Sequence, residues 1–96
     1  MIRNVVLVRL KPGQDPARVA ALQAGFLGLN CPGTLAYTIG DDLGLREGTW
    51  SFAIVADFTD AAAYQAYDLD TRHNELRAEL APMAEQVARA QFEVPG

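Results

Sequence analysis

Two segments of this chain are apolar on both sides of an extended strand, which limits the folds open to it. In residues 50–58, one side holds Trp50, Phe52, Ile54 and Phe58, and the other holds Ala53 and Val55. Residues 2–10 repeat this pattern, with Val6 and Val8 opposite Val5 and Leu7. Because successive side chains of a strand point to opposite faces, a sheet built from these strands has two apolar faces to cover.

The remaining patterns predict two more strands, over residues 34–40 and 87–94, and helices between them. Asp15 followed by Pro16 marks the start of one helix, whose apolar stripe is Val19, Leu22, Phe26 and Leu29. Thr59 is expected to cap a second helix that runs to about Asp68, and Asp70 or Thr71 to cap a third. The order β-α-β-β-α-β, with the second helix broken in two, predicts an α+β fold of the ferredoxin-like type.

In that fold, helices cover one face of a four-stranded antiparallel sheet, and the other face stays open. A single domain of 96 residues has no further element with which to cover it. A two-fold homodimer that packs sheet against sheet would bury both open faces. The pattern therefore predicts a dimeric α+β barrel formed by one domain over residues 1–96.

Composition excludes several classes of function. The formal net charge is −4, with a single lysine, so nucleic acid is not an expected partner. No apolar run approaches the ~20 residues that span a membrane, and residues 1–8 lead directly into a strand, so we expect a cytoplasmic protein. Cys31 is the only cysteine and can form neither an internal disulfide nor a zinc cluster. We expect no metal and no cofactor.

The segment YDLDTRHNELRAEL, residues 67–80, contains the only histidine of the chain. His73 shares an apolar helical stripe with Leu76 and Leu80, which turns it toward the core, and Tyr67 stands six residues before it. An imidazole with a pKa near ~6.5 can accept a proton at neutral pH. Removal of a proton from carbon needs such a base, together with a donor for the forming oxyanion, here Tyr67 or an amide. The alternative is that His73 and Tyr67 are core residues that only stabilise the start of the helix.

Four stretches, taken in order, resemble the stress-responsive A/B barrel domain family of the dimeric α+β barrel superfamily: MIRNVVLVRLKPG, GDDLGLREGTWSFAIVADF, AYQAYDLDTRHNELRAEL and QFEV. The resemblance implies a pocket between sheet and helices that takes a small apolar or aromatic ligand. One plant member closes a linear polyketide by aldol condensation with a tyrosine and a histidine six residues apart. Tyr67 and His73 fall on those positions, and the resemblance implies that they are catalytic.

Other residues are candidates for the wall of the pocket. Many members of the family carry histidine where this chain has Asn4, which either orients a carbonyl or bonds to Tyr67, His73 or a buried water. We expect substrate contacts from Asn4, Phe26, Tyr37 and Tyr64, and an apolar wall from Phe92; the alternative for Tyr37 and Tyr64 is that they are core residues. Arg89 and Gln91 interrupt the last strand; they mark a solvent-facing edge, the interpretation we favour, or Arg89 reaches the pocket and selects an anionic ligand.

Three functions are compatible with these features. The first is a cofactor-free enzyme that removes a proton from carbon in a polyketide-like substrate. The second is a small-ligand-binding or stress-associated protein without turnover. The third is a haem-degrading or cofactor-free monooxygenase, which is disfavoured because His73 would have to become an axial ligand.

Overall fold

Strand β1 (Ile2–Leu10) lies inside a four-stranded antiparallel sheet, with β3 (Phe52–Phe58) on one side and β4 (Ala84–Glu93) on the other. β2 (Thr34–Asp41) pairs with β3, which gives the order β2-β3-β1-β4. The helices are α1 (Pro16–Leu27), α2 (Ala61–Asp68) and α3 (Thr71–Leu80), and a short 3-10 helix (Ala81–Met83) precedes β4. The computed structural model describes residues 1–95. It confirms the ferredoxin-like α+β fold predicted from the sequence.

Aspartates cap all three α-helices. The Asp15 carboxylate accepts a hydrogen bond from Ala17 N, and the Asp70 carboxylate accepts one from His73 N at 2.9 Å. The expected cap of α2 was one residue early. Thr59 still belongs to the extended chain, since its N–H donates to Gly33 O, and the Asp60 carboxylate accepts from Ala63 N at 2.8 Å.

Two strand boundaries also differ from the prediction. β4 begins at Ala84, three residues before the expected start, because Ala84 pairs with Leu10 past an irregularity at Arg9/Leu10. β3 begins at Phe52, two residues after Trp50, and Ser51 N donates to Val8 O just before it. Both changes follow from pairing with β1, which a periodicity confined to one segment does not reveal.

The helices cover one face of the sheet and build the core there. Its buried residues are Val8, Leu22, Phe26, Phe52, Ile54, Leu76, Leu80 and Met83. Helices α1 and α3 approach closely at Gly25, where a Cβ would lie 2.6 Å from Leu76 Cδ2. A Cβ at residue 25 would therefore require the Leu76 side chain to shift in a close-packed core.

The opposite face of the sheet, which we call the open face, has no element over it. Residues paired side by side in the register share this face, and its apolar members are Val5, Leu7, Ala36, Ala53, Val55, Ala88, Ala90 and Phe92. Leu7 is 42% exposed and Phe92 49% exposed. Phe92 pairs with Arg3, so it belongs to this face, and its prediction as a wall of the pocket was wrong.

One ion pair crosses the open face between β1 and β3. Arg3 Nε and Nη2 donate to the two carboxylate oxygens of Asp57 at 2.7 and 3.0 Å. The hydrogen bonds and the charge of Arg3 hold the pKa of the Asp57 carboxyl below its usual range. No helix in residues 1–95 has the length and apolar character that a membrane crossing requires.

Candidate functional site

A cavity of about 230 Å³ lies between the helix-facing side of the sheet and the helices. Its apolar lining includes Val6, Phe26, Ile54, Leu80 and Val87. Its polar lining is Asn4, Tyr64, Tyr67, Asp68, His73, Arg77 and Arg89. The volume falls below the range of about 300–1,000 Å³ usual for drug-sized ligands, so the cavity suits a small molecule.

His73 enters the cavity from the first turn of α3. The Asp70 cap receives the main-chain N–H of His73, which places the imidazole immediately after the bend between α2 and α3. The side chain is buried, with 7% of the residue exposed, and its ring centroid lies 4.1 Å from that of Tyr67. Phe26 of α1 meets the imidazole edge-on at 6.0 Å. The bend therefore brings together the two residues that lie six apart in sequence.

The surroundings of His73 favour the neutral imidazole. Burial lowers its pKa from the usual 6.5, and the positive charge of Arg77 lowers it further. A hydrogen bond to the Asp68 main chain and the charges of Asp68 and Asp70 act in the opposite direction without reversing the shift. At pH 7 the imidazole is therefore unprotonated and can accept a proton.

Arg77 joins the end of α2 to α3 beside the imidazole. Its Nη2 lies 2.7 Å from Asp68 Oδ1 and 3.1 Å from Asp68 O, and 3.3 Å from His73 Nδ1. Arg77 stands one helical turn after His73, so the two side chains share a face of α3. Neither Asp68 nor Arg77 was predicted as a site residue, although the spacing of four between His73 and Arg77 was a usable signal.

Tyr67 is held by a second tyrosine. Its hydroxyl lies 2.7 Å from the Tyr37 hydroxyl, and one of the two donates to the other. Burial raises the pKa of both phenols, so both stay protonated at neutral pH. Tyr67 lines the cavity, whereas Tyr37 reaches it only through this contact.

Asn4 lines the cavity from β1 and is 3% exposed. Its partner is none of those expected: Gln91 Nε2 donates to Asn4 Oδ1 at 2.8 Å. Gln91 stands directly opposite Asn4 in the β1–β4 register and is exposed on the edge strand β4, so it marks the expected solvent-facing edge and also holds Asn4. Within residues 1–95, the Asn4 amide nitrogen makes no hydrogen bond and keeps both N–H groups for a ligand.

Phe26 and Tyr64 line the cavity as predicted. Arg89 does so as well, although the solvent-facing edge was the favoured interpretation. Both descriptions apply to it, because β4 is an edge strand and Arg89 stands opposite Val6 on the cavity side. Among the residues described, no group of three or more His, Cys, Asp or Glu side chains could hold a metal ion.

Comparison with known proteins adds a family and a set of similar folds. A search of curated protein sequences finds no match. A dimeric ferredoxin-like protein of unknown function from Thermobifida fusca is 29% identical, with a TM-score of 0.87 over 97% of this chain and 90% of that chain.

Two more distant structures show the same fold. The hydroxynitrile lyase from Passiflora edulis is 19% identical, with a TM-score of 0.86 over 98% of this chain and 93% of that one. A Dabb family protein from Mesorhizobium loti is 18% identical, with a TM-score of 0.77 over 99% of this chain and 97% of that one. The profile of the stress responsive A/B barrel domain matches residues 2–94. The chain thus belongs to the stress responsive A/B barrel domain (Dabb) family.

Proposed function

We propose that this protein is an enzyme that removes a proton from carbon next to a carbonyl and closes a small poly-keto substrate by aldol condensation. The observation that carries the proposal is a buried, neutral imidazole in the wall of a small cavity, with an amide that has two unused N–H groups in the same wall. The plant olivetolic acid cyclase, whose tyrosine–histidine spacing Tyr67 and His73 resemble, performs a reaction of this class.

His73 is assigned as the base. It takes a proton from a methylene between two carbonyl groups, and the electron pair of the broken C–H bond becomes an enolate. The enolate carbon then attacks a ketone carbon further along the same molecule. A C–C bond forms, and the electron pair of that C=O bond moves to its oxygen. The imidazolium returns its proton to this oxygen, and loss of water with enolisation of the two remaining ketones gives the aromatic dihydroxy product.

Asn4 is assigned to bind the oxygen on which negative charge develops. Gln91 Nε2 donates to Asn4 Oδ1 at 2.8 Å, and this hydrogen bond fixes the orientation of the Asn4 amide. The Asn4 amide nitrogen is therefore a donor with a fixed direction. A donor that is oriented before the reaction stabilises the oxyanion without reorganisation. Tyr67 packs against the imidazole at 4.1 Å, and Tyr37 holds the Tyr67 hydroxyl; both are positioning residues.

The reaction transfers protons and forms a C–C bond without net oxidation, so the protein groups named above suffice for it. The Passiflora edulis structure is described as a hydroxynitrile lyase. A cyanohydrin therefore belongs with poly-keto acids among the substrates to test.

We also propose that the active form is a homodimer joined through the open face. Three similar structures are described as dimeric, and the open face carries eight apolar side chains: Val5, Leu7, Ala36, Ala53, Val55, Ala88, Ala90 and Phe92. The cavity lies on the other side of the sheet, so each protomer keeps its own site.

The test uses a linear trioxo-octanoate, whose aldol closure gives a dihydroxybenzoate and whose uncatalysed closure gives a lactone. Liquid chromatography with mass detection follows both products. We expect the wild-type protein to form the benzoate and His73→Ala to lose about 100–10,000-fold in rate. Asn4→Ala is expected to lose about 100–1,000-fold. Tyr67→Phe keeps the ring and should cost less than Asn4→Ala.

Circular dichroism must show that each variant is folded. Leu69→Ala, at a 78% exposed position outside the cavity, serves as the matched control and should keep full activity. If the wild type turns over neither poly-keto acids nor a cyanohydrin, and His73→Ala binds the product benzoate as tightly as wild type does, the protein is a binding protein rather than an enzyme. A Soret band on adding haem would favour the monooxygenase class instead.

A further inference from the structure

We propose that Arg89 binds a carboxylate of the substrate, so that the cavity selects a free keto acid over a neutral ketone, ester or amide. The inference adopts the base and the carbonyl donor of the function proposed above. It adds the chemical class of the group that anchors the substrate.

The position of Arg89 on β4 directs it to the cavity. Val87, Arg89 and Gln91 stand opposite Val8, Val6 and Asn4 of β1, and all of these share the helix-facing side of the sheet. Because β4 is an edge strand, Arg89 lines the cavity and remains exposed to solvent. A group bound by Arg89 would therefore sit where a substrate enters.

The balance of charge in the cavity wall favours an anion. The charged groups of the cavity wall are Asp68, Arg77 and Arg89, since His73 is neutral. Asp68 and Arg77 are paired at 2.7 Å, whereas Arg89 takes part in no ion pair or side-chain hydrogen bond within residues 1–95. The wall thus carries one uncompensated positive charge in a protein whose formal net charge is −4. A guanidinium with free donors binds a carboxylate through two parallel hydrogen bonds.

Tyr64 lines the cavity together with Arg89 and is influenced by its positive charge. Burial, the largest effect, and the charge of Asp68 raise the pKa of the Tyr64 phenol, and the charges of Arg89 and Arg77 oppose that rise. Tyr64, Asp68, Arg77 and Arg89 all line the same cavity. A carboxylate at Arg89 would have Tyr64 as a second hydrogen-bond donor.

The spacing of Arg89 and Asn4 fits a keto acid. Asn4 pairs with Gln91, two residues along β4 from Arg89, so Asn4 and Arg89 are diagonal neighbours on one face of the sheet. Such neighbours lie roughly 7–8 Å apart at the backbone, within reach of one short ligand. With the carboxylate on Arg89 and the ketone oxygen on Asn4, the acidic methylene lies between the two. In this orientation it is the carbon presented to His73.

Binding, rather than turnover, tests this inference. Titration calorimetry would compare a dihydroxybenzoate with the matching benzamide, which differs only in the charged group, on three proteins: wild type, Arg89→Gln and Arg18→Gln. Arg18→Gln removes the same charge from an exposed site on α1 outside the cavity. We expect wild type and Arg18→Gln to prefer the benzoate, and Arg89→Gln to bind it about 10–100-fold more weakly with unchanged affinity for the amide.

Two results would overturn the inference. One is a wild-type protein that binds the amide as tightly as the benzoate, or binds neither. The other is an Arg89→Gln variant that keeps the full preference for the benzoate. The outcome is independent of the reaction, because the experiment measures only binding. Carboxylate binding that depends on Arg89 in a protein without turnover would support this inference and reject the enzyme.

Discussion

At the scale of the residue, His73 owes its expected reactivity to two features of its surroundings that act in the same direction. Tyr67 and Phe26 exclude water from the imidazole, and Arg77 adds a positive charge 3.3 Å from Nδ1. Both conditions disfavour the protonated form. The sequence alone indicated that His73 faces the core. It did not indicate the shift of the pKa, because Arg77 is also free to point to solvent in an isolated helix.

Replacing Arg77 tests this account. Arg77→Gln removes the charge, so the pKa of His73 should rise toward the usual 6.5. Since the base acts as the neutral imidazole, kcat/KM should fall on the acid side of the lowered pKa in wild type, and this limb should move to higher pH in the variant. Proton NMR titration of the imidazole measures the pKa directly. Arg72→Gln, which removes an exposed partner of Glu75 on the same helix, is the control and should leave the pKa unchanged.

Contacts between distant residues were the least predictable at this scale. Asn4 and Gln91 are 87 residues apart, and Tyr37 and Tyr67 are 30 apart. Each hydrogen bond depends on the strand register or on how a helix lies over the sheet. Local periodicity in the sequence predicts neither of these two arrangements. Phe26 and Tyr64, by contrast, were predictable as cavity residues.

At the scale of the element, the order of strands and helices followed from local patterns, and only the boundaries moved. The turn before β2 shows how firmly one such boundary is set. Gly33 adopts φ +85°, its carbonyl accepts from Thr59 N, and a Cβ there would lie 2.5 Å from Ala63 Cβ. The turn thus needs glycine both for its backbone conformation and for space against α2.

A pair of glycine substitutions separates these two needs. Gly33→Ala combines an unfavourable φ with the contact to Ala63, and we expect it to lower the free energy of unfolding by about 1–3 kcal/mol. Gly13→Ala has a similar φ of +80° but meets no atom within 4 Å, so it should cost distinctly less. Urea denaturation followed by circular dichroism measures both. Equal losses would show that backbone strain, and not the approach of α2, dominates at Gly33.

At the scale of the whole molecule, the two-sided apolar strands are the feature that the sequence showed most clearly. Val55 stands in the middle of the open face, where it pairs with Val5. A carboxylate there would be buried against a second protomer but solvated in a monomer. We therefore expect Val55→Asp to weaken association far more than folding.

Light scattering at micromolar concentration distinguishes these states. The wild type should show twice the 10.4 kDa mass of one chain, and Val55→Asp should approach 10.4 kDa. Leu69→Asp, at an exposed leucine on the helix side, should remain a dimer. A wild-type protein that scatters as a single chain would contradict the dimer and leave the open face unexplained.

The alternation along β1 has a further consequence for how this protein can change over time. Asn4 faces the cavity and Val5 lies on the open face, so adjacent residues of β1 contribute to the two faces of the sheet separately. Substitutions can therefore alter the cavity wall without altering the open face, and substitutions on the open face can leave the cavity unchanged. An insertion or deletion of one residue in β1 would alter both faces together, because it moves every following side chain of the strand to the opposite face of the sheet.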